Sequence, residues 1–195
     1  MSPNICRSPV PIVKGGLREG EENLFVAQGR SDQIGLRQIL ETPPMPGPLT
    51  GVRILDLTAV ISGPSATMLL ADQGADVIKV ENPEAGDLTR YVSTRRGGFT
   101  AAFVNNNRNK RSLGLNLKDP KAVEALKALT KTCDVVVQNF RPGVVDRLGI
   151  GEAAMREVKL DIIYVSISGF GEDGPYAQKP VYDPLVQALS GLTTV

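Results

Sequence analysis

The sequence predicts an α/β fold, a three-layer domain built on a mostly parallel sheet. Three observations point there. Short aliphatic runs of strand length recur from Val52 onward, too uniformly apolar for half-exposed antiparallel strands. Segments with helical spacing of apolar residues separate them. The first two runs and their connection, GVRILDLTAVISGPSATMLLADQGADVIKVE (51–81), read as one βαβ unit, a connection that is right-handed almost without exception.

In chain order, residues 1–48 come first. Pro3, Pro9, Pro11 and the run Pro43-Pro44-Met45-Pro46-Gly47-Pro48 break any regular pattern, so this part reads as a disordered extension and proline-rich linker. Only Ser31–Glu41 has the makings of a short helix. The domain runs from residue 49 to 195. VRILDL is a buried strand. Pro64 suits the first helical position, where a missing N–H costs nothing, and Gly74 suits the glycine just past a helix end. Asp76–Val80 is the next strand and closes on Glu81. Residues 82–112 are polar and rich in Gly, Asn and Arg, and read as a long loop. Ser112–Leu117 alternates like a strand. Asp119-Pro120 then opens a helix whose stripe is Val123, Leu126 and Leu129. Asp134–Val137 is another buried strand, followed by the loop Gln138–Gly143. Val144–Leu148 and Glu152–Val158 are short helices. Ile162–Ile167 is a further strand running into the glycine-rich 168–175, and Tyr182–Leu189 is a last helix closed by Ser190-Gly191.

Composition narrows the chemistry. Lys plus Arg (22) and Asp plus Glu (21) nearly cancel, so no net field points to nucleic acid or a membrane surface. No apolar run approaches a membrane span, and the N-terminus lacks a signal-peptide core, which fits a cytoplasmic protein. Cys6 and Cys133 are too few for a disulfide framework or a metal site. The chain has no histidine at all. That removes Ser-His-Asp and Cys-His mechanisms, His-ligated metal and any imidazole base.

Ligands of parallel sheets sit at the carboxyl ends of the strands. The loop TAVISGPSAT (58–67) precedes a helix start and offers N–H groups to an anion, or is simply a tight turn. It lacks the G-x-G-x-x-G of dinucleotide folds, so Glu81, placed like their ribose-binding acid, is a weak signal. The cluster Asn105–Ser112 is a solvated loop or a phosphate site. In Asn139-Phe140-Arg141-Pro142-Gly143 the ring either covers a base or faces the core. Gly169–Pro175 is a flap or a long turn, and Asp183 has the place of a helix N-cap.

Together, GVRILDLTAVISGPSATMLLADQGADVIKVENPEAGDLTR, NRNKRSLGLNLKDP, DVVVQNFRPGVVDRLGI and IIYVSISGFGEDGPYAQKPVYDPLVQALSG resemble the class III CoA-transferases, the CaiB/BaiF type that includes formyl-CoA and carnitine-CoA transferases and α-methylacyl-CoA racemases. The resemblance covers about three-quarters of the chain, from about Leu49 onward. It implies a Rossmann-like large domain, here incomplete, and a homodimer of interlocked chains when full-length. It implies coenzyme A or acyl-CoA and a small carboxylic acid as substrates, no metal, and no nucleic-acid or membrane partner. Val60, Ile61 and Ser62 match the loop that packs on the nucleotide. Asn82 stands where these transferases often carry an arginine at the adenosine end. Leu115 and Lys118 match positions lining the CoA site, Asn139, Phe140 and Arg141 fall in the loop bordering the nucleotide, and Arg147 matches a phosphate-reaching arginine. The racemases carry histidine where this chain has Tyr182, and tyrosine there, near the active site, favours transfer. The family's nucleophilic aspartate lies beyond Val195 by motif, so the resemblance implies an N-terminal portion inactive alone. Racemase-like isomerisation and a non-catalytic dinucleotide- or CoA-binding fragment are the alternatives.

Overall fold

The computed structural model describes residues 47–194. The expected linker and the Ser31–Glu41 helix lie outside them, apart from the turn at 48–51. The described chain forms β1 (Arg53–Asp56), α1 (Ser62–Asp72), β2 (Asp76–Glu81), a small hairpin of β3 (Arg95–Arg96) and β4 (Phe99–Thr100), and α2 (Ala101–Asn107). It continues through β5 (Lys110–Gly114), α3 (Pro120–Thr130), β6 (Val135–Gln138), α4 (Val144–Arg147), α5 (Glu152–Val158), β7 (Ile163–Ser166) and α6 (Asp183–Leu189). Five strands pair in the order β5-β2-β1-β6-β7, every pair parallel. The order runs outward in both directions from β1 and reverses between β1 and β6, as in doubly wound sheets.

Two cores explain the three layers. Successive strand residues point to opposite faces. Leu55, Ile78 and Val136 meet Leu126 and Leu129 of α3 and Met155 of α5 on one face. Ile54, Val77 and Val137 meet Ala71 of α1 on the other. Leu55, Leu126, Val136 and Met155 are fully buried, and burying a side chain of that size stabilises by roughly 1.5–3 kcal/mol. Sequence and structure agree closely here: Asp119 caps α3 with Pro120 in its first turn, Gly74 takes a left-handed φ of 98° past α1, and α5 spans the expected residues.

The long loop over 82–112 is a correction. It contains a 3-10 turn (Leu88–Arg90), the β3–β4 hairpin and helix α2. Thr100 makes α2 possible: its Oγ1 accepts the Phe103 amide at 3.0 Å while its own hydroxyl donates to the Thr89 carbonyl. Strand β5 begins and ends earlier than the expected Ser112–Leu117, because Lys110 and Arg111 are drawn in by carboxylates on β1 and β2. Pro64 is the third residue of α1 rather than the first. Tyr182, not Asp183, is the N-cap of α6, and the Asp183 carboxylate instead accepts from Gln187 one turn on. Among the described residues no helix is long and apolar enough to cross a membrane.

Candidate functional site

The carboxyl edge of the sheet gathers the loops after β1, β2, β5, β6 and β7, and the switch point lies between the first and fourth of these. There the two loops are bolted together. Asn139 Oδ1 accepts the Ala59 amide at 2.9 Å, and Asn139 Nδ2 donates to the Ala59 carbonyl at 2.8 Å. Both polar atoms of Asn139 are thereby engaged with backbone, so it holds the loop rather than reaching outward. Phe140 is half-buried against the core, its amide donating to Gln138 Oε1 at 2.7 Å. A cavity of about 290 Å³ opens beside it, between the ends of β6 and β7, with Phe140, Arg141, Ser166 and Asp173 among its lining.

Beneath the β1 loop lies a buried charge network. Lys79, alone among aliphatic neighbours in β2, donates to the Thr58 carbonyl at 2.8 Å and to Asp87 Oδ2 at 3.0 Å. Lys110 reaches Asp56 Oδ2 at 2.9 Å, and Asp56 also accepts the Thr58 amide at 2.9 Å and the Thr67 hydroxyl at 2.7 Å. Burial pushes the Asp56 carboxyl up, but the charges of Lys79 and Lys110 and the two threonine hydroxyls outweigh it and hold it below its ordinary value. Asp87 behaves alike: burial raises it, while Lys79 and the Thr89 amide and hydroxyl bring it lower on balance. Burial draws the Lys110 ammonium down to about 8, with the Asp56 carboxylate opposing the fall. The start of α1 fits over this network only because residue 63 is glycine, since a Cβ there would run into the Thr58 side chain.

Glu81 does not stand free for a ribose. It is buried, takes Arg90 through two bonds at 2.9 and 2.6 Å, and also accepts the Ser112 hydroxyl and the Asp87 amide. The Asn105–Ser112 cluster is not a loop, since it runs from the end of α2 into β5. Arg108 pairs with Asp72, Lys110 with Asp56 and Arg111 with Asp76, while Asn106 and Asn107 are buried in α2. Its charge is spent on folding the domain.

The remaining candidates divide. Val60, Ile61 and Ser62 follow β1, Ile61 is exposed and no side chain caps α1, so its first-turn donors face no internal acceptor of that kind. Arg147, in the last turn of α4, packs its guanidinium against Gly143 of the loop after β6. Leu115 and Lys118 follow β5 at the sheet's far edge, two strands from β1. Among the described residues Lys118, Arg141 and Arg147 enter no ion pair. Asn82 turns its Oδ1 onto the Glu84 and Ala85 amides at 2.9 and 3.0 Å. Tyr182 is largely exposed at the start of α6. Sequence reasoning missed Lys79 and Asp87, although a lysine inside an apolar strand is itself a sign that a buried carboxylate awaits it.

Comparison with known proteins gives this arrangement a context. Residues 49–195 match the model of CoA-transferase family III. The chain is 42% identical over 180 residues to the human succinyl-CoA:glutarate CoA-transferase, covering 90% of this chain and 38% of that protein. It is 48% identical over 144 residues to the formyl-CoA:oxalate CoA-transferase of Rhodopseudomonas palustris, covering 73% and 34%. A CaiB/BaiF family protein from Brucella suis superposes with a TM-score of 0.72 at 36% identity, over 75% of this chain and 40% of that one. The chain thus spans well under half the length of these relatives.

Proposed function

The chain belongs to CoA-transferase family III, and from that premise we propose that it supplies the nucleotide cradle of an enzyme moving CoA between an acyl-CoA thioester and a free carboxylic acid. The observation that carries this reading is the division of its cations. Those of the Asn105–Ser112 cluster are neutralised within the fold, whereas Lys118, Arg141 and Arg147 stand on the carboxyl edge with no internal counter-ion among the described residues. Phosphates of CoA are the counter-ions that such an edge would take. The Phe140 ring and the uncapped start of α1 add an aromatic surface and backbone donors to the same edge. The switch-point crevice that dinucleotides occupy is bridged by Asn139, and Glu81 is engaged by Arg90, so the dinucleotide alternative loses both of its footholds.

The chemistry proposed is covalent and needs no histidine. An aspartate carboxylate of the whole enzyme attacks the thioester carbonyl and expels CoA thiolate, leaving a mixed anhydride. The thiolate attacks the aspartyl carbonyl, releases the first carboxylate and forms an aspartyl-CoA thioester. The acceptor carboxylate then repeats the two exchanges in reverse and leaves as its CoA thioester, with the aspartate regenerated. Residues 49–195 have the part of binding in this scheme: they hold CoA in place while the carboxylates exchange. Succinate, glutarate, formate and oxalate, named for the relatives, set the class of acid as small and carboxylic.

Calorimetric titration of the chain with CoA, with NAD as control, tests the reading. Saturable CoA binding that weakens in Arg147→Ala and Lys118→Ala is expected. NAD binding in place of CoA would overturn it.

A further inference from the structure

Val60 has a φ of 71°, a left-handed conformation that a β-branched residue adopts only when its surroundings impose it. Those surroundings are unusually complete. In three consecutive residues, five backbone groups are held by side chains from elsewhere in the chain. Asp56 takes the Thr58 amide, Lys79 donates to the Thr58 carbonyl, Asn139 takes both sides of Ala59, and Asp87 accepts the Val60 amide at 3.3 Å through both oxygens. Asp87 also caps the 3-10 turn at Leu88, accepting the Thr89 amide and hydroxyl at 2.9 and 2.8 Å. Its carboxylate therefore ties the loop after β2 to the loop after β1, and Lys79, 2% exposed, is the cation that lets it remain charged there.

We propose that the Lys79–Asp87 pair is a positioning device for the nucleotide loop: it imposes the left-handed turn at Val60 that aims Ile61, Ser62 and the start of α1 at CoA. This rests on the CoA reading above. Neither side chain is accessible enough to touch a ligand, so the pair acts only through the backbone it holds. A plain stabilising pair has no need to contact the loop. Here each member spends a hydrogen bond on it.

The test uses Lys79→Met/Asp87→Asn, which removes both charges together and leaves no buried ion unpaired. Three measurements are made well below the melting temperature: CoA affinity by calorimetry, NAD affinity as control, and amide exchange of Val60 against that of Ile54 and Val77 in the sheet. In a folded variant, CoA affinity is expected to fall by about tenfold, the factor that loss of a charge-assisted hydrogen bond carries. Val60 exchange should accelerate while Ile54 and Val77 remain protected. CoA affinity equal to that of the parent chain would overturn the positioning role and leave the CoA reading standing. Absence of CoA binding by the parent chain would overturn both. Should the double variant not fold, Asp87→Glu keeps the charge beside Lys79 but displaces the carboxylate by one carbon. The same loss of affinity and of Val60 protection is expected from it, and unchanged values would sink the proposal.

Discussion

Glu81→Gln separates a structural glutamate from a ribose-binding one. The Glu81 and Arg90 side chains are 2% and 8% exposed, so the rules for buried pairs apply and solvent screening is slight. The substitution keeps shape and volume but leaves the Arg90 guanidinium without its counter-charge. Four donors converge on the carboxylate: two from Arg90, the Ser112 hydroxyl and the Asp87 amide. A carboxamide has one oxygen for them and turns its NH₂ group toward the rest. Breaking a buried pair from one side costs about 3–5 kcal/mol. At about 2–4 °C per kcal/mol for a domain of this size, the melting temperature should fall by about 6–20 °C. Glu81→Met/Arg90→Met should recover part of this, since both charges leave together, but not all, because Ser112 and the Asp87 amide lose their acceptor. Thermal melts followed by circular dichroism read out all three proteins. A single variant within about 1 kcal/mol of the parent would refute the reasoning, since it would mean that the guanidinium needs no carboxylate there.

Asn139→Ala removes two hydrogen bonds to Ala59, so a loss of about 1–3 kcal/mol in chemical denaturation is expected along with weakened CoA binding; unchanged CoA affinity would show that the loop holds its shape without the clamp. Thr100→Val deletes the N-cap of α2 and should cost about 1 kcal/mol, with no change in CoA affinity, in the same denaturation assay. The pH dependence follows from Asp56 and Asp87. Both carboxyls are lowered by folding from an ordinary value of 3.8, so the folded state binds fewer protons than the unfolded chain near and below that value. The stability they contribute is present above the unfolded pKa and is lost as pH falls through the folded one. Melting temperatures should therefore drop below about pH 4, and a melting temperature that stayed level down to strongly acid conditions would contradict this.

The layers were legible because period and composition alone separate a buried strand from an amphipathic helix, as in VRILDL and the Val123-Leu126-Leu129 stripe. What escaped was long-range pairing. Nothing near Lys110 in sequence marks Asp56, fifty-four residues earlier, as its partner. An Asn/Lys/Arg-rich segment therefore read as a ligand site or a solvated loop when its charges were already committed. Helix α2 was within reach: Thr100 before Ala-Ala-Phe-Val is a capping signal, masked by the polar residues around it. At Asn139 the sequence pointed to the loop after β6 as a ligand border, and the structure engages both polar atoms of that side chain with the Ala59 backbone.

The register of β1 with β2 sets Asp56 directly beside Lys79. During synthesis these two emerge before either of their final partners. An unfinished sheet of β1 and β2 therefore already carries opposite charges in adjacent positions, which can neutralise one another as the parallel β1–α1–β2 unit collapses. Asp87 and then Lys110 join this couple, so that in the folded protein Asp56 feels both lysines and Lys79 gains a direct carboxylate partner. The sheet can grow outward from its centre in this way without a stage at which a lone ion must enter its interior.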